Sequence, residues 1–163
     1  MQALTVLGEE TSDQAHAYVF LERWRVSASA ERLYDTLLDF DTYPLWGAPS
    51  YVEGKRLSGK GLGSTGRVSV RGALPYVLTL RCKIVKVVPS REIEIEVEGD
   101  LAGRQHWTFV PRGKTTEVSS DFRANTNWAV LSVMTPLLRP VFRWNHKLCK
   151  NRAMEGLERY LAA

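Results

Sequence analysis

Residues 128–160 read WAVLSVMTPLLRPVFRWNHKLCKNRAMEGLERY, and no other segment of the chain is long enough for a major helix. Leu131, Met134, Leu138, Phe142, Cys149 and Tyr160 recur at spacings of three, four or their multiples, which places them on one helical stripe. Arg139, Arg143, His146, Lys147 and Lys150 gather a quarter to a third of a turn away, as a basic face expected in water. Pro136 and Pro140 interrupt the first part. Proline is tolerated at a helix start but removes a bond from its interior. The expectation is a short lead-in helix, then a main helix from about 140 to 161. Asn145 and Arg152 lie in or beside the stripe, where a core helix has no use for polarity, so both are candidates for lining a cavity.

The rest of the chain reads as a surface for this helix. Residues 17–26, AYVFLERWRV, alternate as a strand with Tyr18, Phe20, Trp24 and Val26 on one face and Glu22 among them. Ser29 then caps a helix; Arg32 stands where a capping box wants Glu, so the cap is single. Leu33, Tyr34, Leu37 and Leu38 carry the helical period, and residues 39–46 start a second short helix or turn. After that the helical period vanishes for some eighty residues. Strands are expected over 51–57, 64–70, 76–88, 92–98, 104–111 and 116–126, broken by glycine, proline and Gly-Asp pairs. Such tight connections join antiparallel neighbours. In 92–98, EIEIEVE, the glutamates point to water while Ile93, Ile95 and Val97 point inward, so the sheet has one wet and one covered face. Seven strands and one long helix cannot pack flat, and a gap between them follows from the bend. The expected fold class is α+β: a seven-stranded curved antiparallel sheet around a long C-terminal helix, with two short helices after strand 1.

At 163 residues, with 44% hydrophobic and 25% charged content, the composition is that of one ordinary globular domain. The expected division is a flexible tail over 1–15 and a single domain over 16–163. The longest apolar run, residues 128–133, is far too short to cross a membrane. Glu9, Glu10 and Asp13 stand where a signal peptide needs a basic and then apolar start. Cys82 and Cys149 read as two buried thiols of a reducing, cytoplasmic setting rather than a disulfide. The net charge of +4 permits an acidic partner without arguing for one.

The order of elements, with Val26-Ser-Ala-Ser-Ala-Glu-Arg-Leu-Tyr and Leu38-Asp-Phe-Asp-Thr-Tyr-Pro-Leu-Trp after the first strand, resembles the START-like helix-grip (SRPBCC) superfamily. The branch it is most similar to is polyketide cyclase/dehydrase and lipid transport. Gly61-x-Gly, Gly99-Asp-Leu-x-Gly with Trp107-x-Phe, and Gly156-Leu-Glu-x-Tyr-Leu add to the likeness, which covers roughly residues 17 to 162. It implies a hydrophobic ligand, such as a lipid, quinone or polyketide, held between sheet and helix. It does not select among carriers, aromatase/cyclases and interaction modules.

Matching the phases of the strands turns Phe20, Trp24, Val68, Val70, Tyr76, Leu78, Leu80, Ile95, Val97, Trp107, Phe109, Phe122 and Ala124 toward the helix. A filled core is the plain account of these. Against it stand inward polar groups, Glu22, Gln105, Asn145 and Arg152, since an ionised carboxylate in an apolar core needs a partner. Glu22 is expected to pair with Arg152 or another cation, or to face a hydrated cavity. The expected ligand contacts are therefore the inward residues Phe20, Glu22, Trp24, Val70, Tyr76, Leu78, Leu80, Ile95, Trp107, Phe109 and Phe122, with Leu138, Phe142, Asn145, Cys149 and Arg152 from the helix. A chain of about fourteen methylenes at roughly 0.8 kcal/mol each gains on the order of 11 kcal/mol gross. Association removes at least about 4 kcal/mol of that, so micromolar binding needs no catalytic group.

The expectation is thus binding, for transport or sensing, more than catalysis. An enzyme of the cyclase type would use Glu22 as general base, with Tyr76 and Asn145 steadying an enolate. No cofactor is expected. Gly61-Leu-Gly-Ser-Thr-Gly matches a nucleotide-loop pattern, but a strand follows it where a helix is required, so it reads as a hairpin turn, with the pocket mouth as one placement. His146 and Cys149 are spaced for a metal but lack further ligands, and no metal site is expected. The basic helix face leaves a third reading, a membrane- or ribosome-associated module like those that bind coenzyme Q. It allows peripheral membrane contact, while the lack of interleaved aromatics speaks against nucleic acid. Nothing sets an oligomeric state.

Overall fold

The computed structural model describes residues 17–126 and 129–163; the expected tail over 1–15 lies outside them. The alternating first stretch forms β1 (Ala17–Val26), followed by α1 (Ala30–Leu38). Ser29 caps α1 by accepting a hydrogen bond from the Arg32 N–H at 3.3 Å. A single 3-10 turn over Phe40–Thr42 leads into the short α2 (Tyr43–Gly47). Six strands follow: β2 (Tyr51–Ser58), β3 (Thr65–Arg71), β4 (Val77–Val88), β5 (Glu92–Gly99), β6 (Leu101–Arg112) and β7 (Thr115–Thr126). The chain ends on α3 (Ala129–Ala162).

The seven strands form one antiparallel sheet in the order β1-β7-β6-β5-β4-β3-β2. Short connections make neighbours of consecutive strands from β2 to β7, and only β1 reaches across the sequence, to β7. Register shifts in β2 and β4 bend those strands. On β5, Ile93, Ile95 and Val97 are buried. The alternate glutamates turn outward, where Glu92 meets Lys86 and His106 and Glu94 meets Arg104.

The long helix departs from expectation at its start. No lead-in helix precedes a separate main one: α3 runs unbroken through Pro136 and Pro140. Each proline removes one donor, and the bonds of the neighbouring turns carry the helix past it. Downstream, Ala153, Met154, Leu157 and Leu161 are buried. Gly156 lets α3 close on α2, since a Cβ there would come within 1.8 Å of the Trp46 carbonyl oxygen. Tyr160, expected on the core stripe, is 38% exposed.

Candidate functional site

A boundary crosses the inner face of the sheet. On one side Trp24, Val26, Ile84, Ile93, Phe109 and Val118 pack into a filled core with Leu33 and Leu37 of α1 and Met154 and Leu157 of α3. On the other side sheet and α3 separate around a cavity of about 170 Å³. Its apolar wall comes from Phe20, Val68, Val70, Leu78, Leu80, Ile95, Val97, Leu101, Trp107, Phe122 and Ala124 of the strands and Phe142 of α3. Phe40, Tyr43 and Tyr51 close it from the region of the short helices, in a run of tilted and edge-on ring contacts that ends on Trp46. Among the described residues no helix is long and apolar enough to cross a membrane.

Strand phase foretells which face a residue takes but not where along the strand the core gives way to a cavity. Trp24 and Phe109 are therefore corrected. Both point inward, yet both belong to the filled core: Trp24 donates to Asn151 Oδ1 at 3.2 Å, and Phe109 meets Tyr34 edge-on. Leu138 is half-buried and off the cavity wall. Arg152 is exposed and does not meet Glu22. Glu22 is inward and half-buried, but it stands behind the wall rather than in it, and its partner is His146, with Nε2 3.3 Å from Oε2. Gln105, Asn145, Tyr76 and Cys149 do face the cavity.

Two residues assigned to water by their charge turn inward. The His146 ring lies on Phe20 with centroids 3.7 Å apart, and stacks on Phe122 at 5.8 Å. Burial holds its pKa below the ordinary imidazole value, although Glu22 pulls the other way. Lys150, only 7% exposed, places Nζ 4.5 Å from the centroid of the Trp107 ring. It donates to Gln105 Oε1 at 3.2 Å, while the Gln105 amide donates to Ser120 Oγ at 2.9 Å. Burial likewise lowers the Lys150 pKa. The buried stripe of α3 thus runs through residues 145, 150, 153, 154, 157 and 161, with the half-buried 146 beside it, about one position from where Cys149 and Tyr160 alone suggest it. The apolar spacing of Ala153, Met154, Leu157 and Leu161 carries that signal once the charges at 146 and 150 are not taken as marks of exposure.

Asn145 fastens the β3–β4 loop to the helix. Its Oδ1 accepts from the Ala73 N–H at 2.7 Å and the Leu74 N–H at 3.3 Å. Gly72 permits this approach, since a Cβ would fall 2.1 Å from Asn145 Oδ1. This loop, with Gly72 and Tyr76 on the wall, flanks the cavity. The Gly61 hairpin, expected near the mouth, contributes no wall residue. Cys82 and Cys149 are free thiols, and both border the cavity. Burial pushes the Cys82 thiol up to about 12. Among the described residues no three His, Cys, Asp or Glu side chains gather to hold a metal.

The family described as polyketide cyclase/dehydrase and lipid transport matches residues 21–161. The chain belongs to that family. Its fold is that of a superfamily whose members bind hydrophobic small molecules. TTHA0849 from Thermus thermophilus is 16% identical, with a TM-score of 0.76 over 89% of this chain and 97% of that one. The di-domain ARO/CYC BexL from the BE-7585A biosynthetic pathway is 15% identical, with a TM-score of 0.73 over 93% of this chain and 52% of that one. Ginseng major latex-like protein 151 from Panax ginseng is 9% identical, with a TM-score of 0.66 over 90% and 99%. At these identities the likeness is one of fold. No curated protein matches the family member at the sequence level.

Proposed function

We propose that this protein binds a compact hydrophobic or amphipathic small molecule, as a carrier or sensor rather than as an enzyme. The observation that carries the reading is the cavity between sheet and α3, with apolar side chains over most of its wall. Its volume of about 170 Å³ lies below the roughly 300–1,000 Å³ of sites for drug-sized ligands. That favours a ligand of one ring or a short chain over the fourteen-methylene chain used for the sequence-based figure. Burial of about eight carbons gains roughly 6 kcal/mol gross. Association removes at least about 4 kcal/mol of that, so the polar wall has to add affinity.

The test is native mass spectrometry of the protein purified from its own cells, with identification of any released molecule, followed by titration with short-chain and single-ring compounds. A retained or added compound that binds one to one supports the reading. Failure of the whole panel to bind overturns it. One observation favours a second reading, a cyclase-type enzyme. His146 borders the cavity with Glu22 hydrogen-bonded behind it, an arrangement suited to proton transfer. That reading requires a turnover that Glu22→Gln abolishes while ligand affinity persists.

A further inference from the structure

The polar part of the cavity wall holds a buried ammonium whose donors are only partly used. Lys150 has three N–H bonds. Among the described residues one finds an acceptor, Gln105 Oε1, and the ammonium otherwise lies over the Trp107 ring. No carboxylate of the described residues comes within ion-pair distance of it. Glu22 stands behind His146, which its carboxylate meets directly, and it attracts the ammonium only from beyond ion-pair distance. The Tyr51 hydroxyl, also on the wall, makes no hydrogen bond among the described residues, and burial keeps it protonated. Three nearby side-chain oxygens are already engaged: Gln105 Oε1 by Lys150, Ser120 Oγ by the Gln105 amide, and Asn145 Oδ1 by two backbone N–H groups.

A buried cation without a counter-charge is costly, and a hydrogen-bonded anion in contact with it offsets that cost. A cationic ligand would deepen the cost. A neutral acceptor would use the hydrogen bonds but leave the charge with only the distant attraction of Glu22. We propose that Lys150 is the recognition group for an anion, so that the ligand of this cavity carries a carboxylate or phenolate on a compact apolar body. The inference rests on the cavity being the ligand site and adds the chemical class of the head group. Trp107 and the apolar strands take the body, Lys150 the charge, and Tyr51 a second donor to the same head.

The experiment compares para-propylbenzoate with para-propylbenzyl alcohol by calorimetry near neutral pH, on the wild type, Lys150→Met and Tyr51→Phe. The wild type is expected to prefer the carboxylate by about tenfold or more. Lys150→Met should erase that preference while still binding the alcohol, and retained alcohol binding shows that the cavity is intact. Tyr51→Phe should reduce the preference in part, an independent readout if Lys150→Met does not fold. Equal binding of acid and alcohol by the wild type overturns the assignment, as does a preference that survives in the folded Lys150→Met protein. Failure of both compounds to bind the wild type overturns the head-group assignment, and failure of the whole short-chain and single-ring panel overturns the binding function itself.

Discussion

His146 is an ionisable ring packed against two phenyl rings, and its environment sets the sign of its effect on stability. Burial depresses its folded-state pKa below the ordinary value of about 6.5. The unfolded chain therefore binds the proton more readily, and folding loses stability as pH falls from that value toward the depressed one. Among the described residues Glu22 opposes the shift and Lys150 adds to it. Urea midpoints measured from about pH 7.5 to pH 5 should fall more steeply for the wild type than for His146→Gln. Parallel curves for the two proteins would show that the ring is not held neutral by its surroundings. At this scale the sequence shows the phase of the strands but not that of the helix. Glu22, Gln105 and Asn145 point inward as their neighbours' alternation and spacing imply, whereas Lys150 and His146 do so against their residue type. A ring beneath an ammonium, or against an imidazole, changes what a charged side chain costs to bury, and those rings come from strands distant in sequence.

At the scale of elements, the contact between Asn145 and the β3–β4 loop ties two segments some seventy residues apart. Asn145→Ala leaves the N–H groups of Ala73 and Leu74 without their acceptor, a loss of about 1–3 kcal/mol. Hydrogen exchange at residues 73 and 74 should quicken well before the sheet opens; unchanged protection there would rule out the fastening role. On the outer side of α3, Leu137, Val141 and Trp144 are exposed at 76%, 41% and 56%. They lie at helical spacing beside the exposed Arg143 and Lys147, a pairing of apolar and cationic groups that suits an anionic lipid surface. Arg143→Glu with Lys147→Glu should lower sedimentation with phosphatidylserine vesicles at least severalfold, and equal sedimentation would exclude peripheral contact through this face. The elements themselves were readable because turn residues and alternation are local: β1 begins and ends where its alternation does, and Ser29 caps α1. The unbroken α3 was not, because a proline announces the bond it removes while the turns that outweigh it carry no such mark.

For the molecule as a whole, one part of the covered sheet is dense and the other is hollow, so stability and binding compete for the same space. Filling the hollow part should strengthen the fold at the expense of the ligand. Val70→Phe, on the cavity wall, is expected to raise stability by about 0.5–2 kcal/mol, the range found for cavity-filling changes, and to weaken ligand binding at least tenfold. Differential scanning calorimetry and the titration above check the two halves of that statement. A destabilised variant with normal binding would mean that the space is not available to the new ring. The pairing of β1 with β7 bears on a different matter, the order in which the chain is made. Val26 meets Thr116 and Ala17 meets Asn125, separations of 90 and 108 residues. At roughly 5–20 residues per second, the first strand leaves the ribosome some 5–20 seconds before its partner exists. During that interval Tyr18, Phe20, Trp24 and Val26 have no sheet to join, while β2 to β6 can already pair in sequence. Newborn chains halted before β7 should therefore be the ones that chaperones hold and that aggregate when released.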